Sequence, residues 1–556
     1  MSTSPPSRRN PDPPRVAVER AVEPRHTRSV AYRYALLGIL LLAGVWRLAI
    51  ALSMPCLSRD GVTFCWYARD LGEQGAAFLR AESTHQHPLF PLAILGTHAA
   101  ARTLGAADTP WTWQRSGQVV AWLAGMAVVA LSAVLTVRLV RLLKLPIDAR
   151  LAGLLAAILA ALLPLNVRLS ADVMSDQVLL AFYLAAVLAL LRIETWTGSL
   201  LCGVFAGLAF LTRPEGAGVL IGGLAAAVAL ARSAGWRTSL ARVSIVVVGF
   251  LLLAAPLWGV TGRLSPKKNP LEILSGEETA ATYSVPRGVV SAAEAWPSSG
   301  SPGVYMARLQ RHDFGWHMVP LWVAYTLFRA GRVVVPLLAL APLIHLRKRL
   351  LGRELIGVST SFAIHALLAM ALLYRWKYLA PRHTLVLVAV LLPLAAMLLS
   401  HVRELTRANR QRWLWPVVVA VCLLPLCAYS LRIPNGETAF LRRTASWLTS
   451  NRQDLRAKLL TGGSSQRRIA FYANMRWKYW LEDPGDLERI RGEMLYSRPD
   501  YFAIETGRGF ERERNAELLE QLRREPRLGP VMQEVHAEPA ARGGRLLLYE
   551  LRWPGN

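Results

Sequence analysis

Long apolar runs alternate with short polar connections over residues 34–431. An unbroken apolar stretch of about 20 residues has the length of a bilayer-crossing helix. The pattern predicts spans at 34–53, 116–137, 151–166, 177–191, 199–212, 215–231, 240–260, 317–344, 355–373, 383–400 and 413–431, eleven in all. Several central runs are short, which suits helices packed inside a bundle or tilted in thinned lipid. Beyond residue 432 the pattern changes to mixed charge. There 468–472, 501–505 and 546–551 read as short strands, and 487–496 and 511–524 as amphipathic helices. The predicted fold class is a polytopic α-helical membrane protein with a small C-terminal α/β domain. Its parts are a tail over 1–33, a membrane domain over 34–432 and the α/β domain over 433–556.

Composition agrees with this division. Of 556 residues 53% are hydrophobic, yet 18% are charged, so charge must be segregated from the apolar runs. A formal net charge of +27 would suggest nucleic acid in a soluble chain. Here the basic residues fall in alternate connections: Arg138, Arg141, Lys144 and Arg150; Arg232, Arg237 and Arg242; Arg347, Lys348, Arg349 and Arg353; Arg403, Arg407, Arg410 and Arg412. That is the positive-inside arrangement, and nucleic acid is not expected as a partner. With the Arg- and Pro-rich tail in the cytoplasm, segments 54–115, 167–176, 261–316 and 374–382 fall outside, together with the α/β domain. The first run begins too far from Met1 for a cleaved signal and reads as a signal anchor. Five cysteines show no metal-ligand spacing; Cys56 and Cys65 share one outer connection, either as a disulfide or, the better reading, as two thiols.

The outer connections gather the candidate chemistry. Asp60 stands where the chain leaves the first span; it reads equally as a general base for an acceptor hydroxyl or as a helix N-cap. Asp172 and Asp176 lie four residues apart and would share a face if that segment were helical. They would orient an acceptor, cap a helix or, for Asp176 with Asp60, hold a divalent cation, the one cofactor the pattern leaves open. Arg213 with Glu215, and Arg375, Lys377 and Arg382, stand at span ends, where guanidinium forks suit a leaving phosphate and snorkelling is the plain alternative. His85 and His87 have no evident third ligand, so a structural role is favoured over metal.

Taken in order, several motifs resemble the GT-C superfamily of polyprenyl-phosphate-sugar-dependent glycosyltransferases. These are Arg59-Asp60-Gly61 followed by Tyr67-Ala68, the segment from His87 to Pro91, Ser175-Asp176, and the segment from Leu211 to Gly216. The chain looks most like the bacterial RgtA/B/C/D-like, aminoarabinose-transferase-like and protein-mannosyltransferase-like branch, over roughly residues 34–400. The resemblance implies an inverting glycosyltransferase of the bacterial cytoplasmic membrane. Its donor would be a polyprenyl-phosphate sugar and its acceptor a lipid, glycan or protein on the outer face. It implies Asp60 as the catalytic acid residue. Asp176 would assist it; Arg213, Arg382 and Lys377 would hold the donor phosphate; and Tyr67, His87, Asp172 and Glu215 would position donor or acceptor. The chain departs from the family where a second acid often follows the first, since Gly61 stands there, and where Lys precedes a Pro-Pro pair, since Gln86-His87 stands there. Two readings of other classes remain at this point, a transporter or flippase of a lipid-linked sugar and a non-catalytic envelope protein. Transporter sites favour the membrane midplane, whereas these acids cluster at one edge.

Overall fold

The computed structural model describes residues 25–81, 86–265, 318–376, 379–431, 438–452, 457–461, 467–475, 487–507, 510–540 and 543–554. Most of the tail, nearly all of the 261–316 connection, His85 and Lys377 lie outside the described residues.

Helix starts follow local chemistry. Helix α1 (Arg25–Ser53) begins ahead of the predicted span, inside the basic tail. Ser58 caps α2 (Arg59–Gln74), its hydroxyl accepting from the Gly61 amide at 3.1 Å. Helices α3 (Ala76–Arg80) and α4 (Leu89–Thr103) complete this first connection. Thr109 caps α5 (Pro110–Leu142), where Pro110 occupies the first helical position and sacrifices no amide bond. Asp148 caps α6 (Ala149–Leu162) through the Arg150 and Leu151 amides. Pro164 then breaks the run, and α7 (Pro164–Ala171) departs at 59°. Helices α8 (Asp176–Leu190), α9 (Trp196–Thr212), α10 (Ala217–Ala229), α11 (Ala231–Ala234) and α12 (Trp236–Thr261) follow. The run at 317–344 is two arms, α13 (Met318–Ala330) and α14 (Val334–Leu350), bent by 119° where Arg332 and Val333 take positive φ. Helices α15 (Ile356–Trp376), α16 (Leu385–Ala408) and α17 (Leu414–Ser430) close the bundle.

Every predicted run falls on one of these helices or bent pairs, and the chain is a multi-pass membrane protein. Among the described residues six helices are long and apolar enough to cross a membrane, or up to eight if each bent pair is one span. Asp176–Leu190, Trp196–Thr212 and Leu414–Ser430 are shorter apolar helices, so length and composition fix fewer crossings than the eleven expected. The crossing of α9 on α12 depends on absent side chains: a Cβ on Gly203 would collide with the Val246 carbonyl. At one end of the bundle Arg349 donates to the Leu143 carbonyl at 2.8 Å, bringing two of the basic connections together.

The C-terminal region comprises α18 (Ala439–Asn451), β1 (Leu459–Thr461), α19 (Arg467–Tyr472), α20 (Leu487–Ser497), β2 (Tyr501–Thr506), α21 (Phe510–Arg524), β3 (Met532–Pro539) and β4 (Arg545–Leu551). The sheet order is β1-β2-β4-β3, with β1 parallel to β2 and the other pairs antiparallel. Strand alternation sorts the core: Tyr501 and Ala503 pack with α18 and α19, while Phe502 and Ile504 pack with α20 and α21. Residues 468–472, expected as a strand, are helical. So short an apolar run carries no decisive period, and burial of Ile469, Ala470 and Phe471 against neighbouring elements settles it.

Helix α19 seats this region on the first connection. The Tyr472 hydroxyl donates to Gln114 Oε1 at 2.6 Å and accepts from the Leu57 amide at 2.8 Å. Arg467 donates to Thr63 Oγ1 at 2.7 Å, Arg69 to Asn474 Oδ1 at 3.1 Å, and Arg442 stacks over Trp111 at 4.0 Å. Cys56 and Cys65 are free thiols, buried near this seam. Tyr472→Phe strands the Leu57 amide and Gln114 and is expected to destabilise the protein by about 1–3 kcal/mol. The check is the thermal midpoint of the detergent-solubilised protein against wild type.

Candidate functional site

The chain makes a sharp exit from α1, and Ser58, not Asp60, caps the helix that follows. Asp60 therefore sits in the first turn of α2, where a negative charge is favoured by the helix dipole and the carboxylate is free for other partners. Its Oδ2 accepts from Arg382 Nη1 at 2.7 Å, and Arg59 Nε lies 3.5 Å from Oδ1. Burial opposes the charged form, but Arg382 and then Arg59 outweigh it, so the carboxyl titrates below the usual aspartate range.

Arg382 is presented by the 3-10 turn Pro381–Thr384, which is tied by the Ala380 amide donating to His383 Nδ1 at 3.3 Å. A second pair lies beside it. Arg213, the C-cap of α9, donates from Nη1 to Asp176 Oδ1 at 3.0 Å and from Nη2 to Glu215 Oε1 at 3.2 Å. The two pairs differ in wetness. Side-chain exposure is 12% for Arg213 and 4% for Asp176, against 28% for Arg382 and 31% for Asp60. Asp60 is thus the more exposed of the two carboxylates. Asp60 also lies within electrostatic range of Arg213.

Arg213, Asp176, Glu215, Arg382, His365 and His383 line one small cavity, partly open to solvent, whose other wall is leucine, alanine and valine from α8, α15 and α16. Two guanidinium groups in the lining of an apolar-walled cavity are chemically suited to an anion such as phosphate.

Other expected residues stand elsewhere. Asp172 and Asp176 do not share a helix face, because the backbone at Asp172 is extended and α8 starts at Asp176. Asp172 is a brace: its Oδ1 accepts from the Ser58 amide at 3.2 Å and the Val173 amide at 2.8 Å. Burial raises its pKa against those hydrogen bonds. His87 is buried, with Nε2 3.0 Å from Ser265 Oγ and its ring edge against Phe210. Tyr67 packs edge-on against Phe78. Lys377 lies outside the described residues. Sequence reasoning assigned no role to His365, although a lone histidine in the apolar run 355–373 was the available signal.

Among the described residues no three His, Cys, Asp or Glu side chains gather as metal ligands would. Asp60 and Asp176, the expected pair, each hold their own arginine instead.

Over residues 115–258 the sequence matches the family model described as dolichyl-phosphate-mannose-protein mannosyltransferase. No curated protein matches it. Among solved structures, apo ArnT from Cupriavidus metallidurans is similar at 12% identity over 94% of this chain and 98% of that one, with a TM-score of 0.57. The chain has the GT-C fold. The same ArnT bound to undecaprenyl phosphate gives 11% identity, the same coverage and a TM-score of 0.55. A second GT-C neighbour is the oligosaccharyltransferase AglB from Archaeoglobus fulgidus, in complex with an inhibitory peptide and a dolichol-phosphate. It matches at 11% identity over 85% of this chain and 69% of that one, with a TM-score of 0.54. The family match runs from α5 to α12 and so includes Asp172, Asp176, Arg213 and Glu215 of the GT-C bundle.

Asp172→Asn keeps an oxygen acceptor for both amides and is expected to leave the thermal midpoint near wild type. Asp172→Ala removes it and is expected to cost about 1–3 kcal/mol. Melting curves of the two purified variants make the comparison.

Proposed function

We propose that this protein is an inverting glycosyltransferase that moves one sugar from a polyprenyl-phosphate carrier to an acceptor hydroxyl. The observation that carries the reading is the Asp60 carboxylate 2.7 Å from Arg382, which also lines the cavity shared with Arg213. The fold supports it, as does the match to a mannosyltransferase family model. In the proposed step Asp60 takes the acceptor's hydroxyl proton as that oxygen bonds to the anomeric carbon from the face opposite the carrier. The sugar–phosphate C–O bond breaks and its electron pair leaves with the phosphate, where Arg382 and Arg213 stabilise the charge. Asp176 and Glu215 keep Arg213 aimed, and no step is routed through a metal ion.

In this reading the two bent pairs and three shorter helices also cross, giving eleven spans. The basic connections then face the cytoplasm of a bacterial inner membrane, and the site faces outward. The C-terminal α/β region, resting on the first connection beside Asp60, helps choose among lipid, glycan or protein acceptors.

Asp60→Asn is expected to lower transfer from undecaprenyl-phosphate sugars in proteoliposomes by about 10²–10⁴-fold at unchanged protein level. Wild-type turnover in that variant would remove the assignment.

Arg382→Gln is expected to slow transfer and to displace the acidic limb of the kcat/KM profile upward. The Asp60 pKa is lowered in the wild type, so the carboxylate persists below the ordinary aspartate range and is lost only as pH falls through the lowered value. Without Arg382, burial of Asp60 is opposed mainly by Arg59 and protonation sets in at higher pH. A pH–rate series on both proteins reads the direction.

A further inference from the structure

Arg47 sits in the apolar stretch of α1 and is fully buried. An ionised side chain enclosed in a membrane bundle is expensive, and where one persists it has work to do. Among the described residues its hydrogen bonds go to uncharged oxygens. Nε donates to Ser170 Oγ at 3.0 Å, Nη2 to the Ala160 carbonyl at 3.2 Å, and Nη1 to the Ala43 carbonyl of its own helix at 3.3 Å. Ala160 lies four residues before Pro164, which has no amide to give it, so the guanidinium replaces the helical bond that the proline removes. Asn166 Nδ2 also reaches that carbonyl, at 3.4 Å. One planar fork thereby joins both arms of the 59° break, α6 through Ala160 and α7 through Ser170. Gly125 of α5 makes room for the junction: a Cβ there would collide with Ser170 and stand 3.7 Å from Arg47 Nε.

The far end of α7 carries the mounting of Asp60. Gln118 of α5 donates to the Ala171 carbonyl at 2.9 Å, and Asp172, the next residue, accepts from the Ser58 amide at 3.2 Å. Gly61, the neighbour of Asp60, rests on the same carboxylate, since a Cβ on it would stand 3.1 Å from Asp172 Oδ1. The first turn of α2 is thus seated on the end of α7, and from that turn Asp60 meets Arg382 at 2.7 Å. We propose that Arg47 is a positioning residue for sugar transfer: by fixing the angle of the α6–α7 break it sets the place of Asp172, and with it the contact of Asp60 with Arg382. This rests on the glycosyltransferase reading above. Arg47 acts on the reacting groups through α7 and touches neither Asp60 nor Arg382 itself.

The test is a pH series of kcat and kcat/KM for the full chain in proteoliposomes. The donor is whichever of undecaprenyl-phosphate mannose, glucose and arabinose the wild type turns over fastest, and an envelope extract supplies the acceptor. Burial pushes the Asp60 carboxyl up, while Arg382 and then Arg59 pull it below the usual range, with Arg213 also within electrostatic reach and Asp172 beneath the adjoining residue. A slackened Arg382 contact therefore moves the acidic limb to higher pH. Arg47→Lys keeps the charge and loses the fork. It is expected to raise the limb by about 0.5–1 pH unit and to lower kcat about tenfold with donor KM near wild type. Combined with Arg382→Gln it is expected to displace the limb no further than Arg382→Gln does alone, because the contact it aims is already gone. Ser170→Ala, a smaller change that removes the acceptor of Arg47 Nε, is expected to move the limb the same way and carries the test if Arg47→Lys does not fold. A limb at the wild-type pH in the folded variant, with rates unchanged or lowered evenly at every pH, would assign Arg47 to packing and overturn the proposal. So would a displacement that adds to that of Arg382→Gln. A wild type that transfers none of the three sugars defeats the glycosyltransferase reading, and the Arg47 assignment falls with it.

Discussion

A guanidinium at the edge of a hydrocarbon layer must be paired or hydrated, and the arrangement of this molecule follows from how two of them are paired. Arg382, on the turn before α16, reaches Asp60 on α2; Arg213, at the end of α9, reaches Asp176 on α8 and Glu215 on the following turn. The first of these contacts joins elements 322 residues apart in the chain, and the Arg213–Asp176 contact joins the ends of two helices 37 residues apart. Breaking either pair leaves a charge beside leucines, where desolvation is expensive. The ion pairs therefore hold the ends of these helices in register as well as shaping the cavity.

The pairings also explain the division of labour among the acids. Asp176 is shut in and stays committed to Arg213, while Asp60 is wet enough to meet another molecule. Asp172, equally acidic in sequence, is occupied by the Ser58 amide of the turn that launches α2 and by the amide of its own neighbour Val173. In the proposed reaction three carboxylates within one region would thus serve as reactant, aiming device and brace, according to what each one touches.

The apolar runs made the bundle legible from sequence, because the bilayer imposes a length that few other environments do. Asp60, Arg213 and Arg382 were legible for a related reason: a charge at the end of such a run is conspicuous. What escaped depends on distant partners. Nothing near Asp172 announces that Ser58, 114 residues earlier, needs its oxygen. The helical state of 468–472 is decided by packing against the first connection, and β3 is an edge strand whose polar sequence lacks the expected alternation. His365 is hidden by its neighbours, a single imidazole inside an apolar helix that only the folded cavity reveals. The 119° break between α13 and α14 left no proline at its vertex to mark it.

The seat of α19 on the first connection ties the two halves of the chain together. Tyr472 grips the Leu57 amide, three residues ahead of Asp60, so the C-terminal region forms one wall of the mounting of Asp60. Trimming the chain after α17 would leave every membrane helix intact on paper and yet unfasten the residue on which turnover is proposed to depend. The C-terminal region is better regarded as the far jaw of a vice than as an appendage.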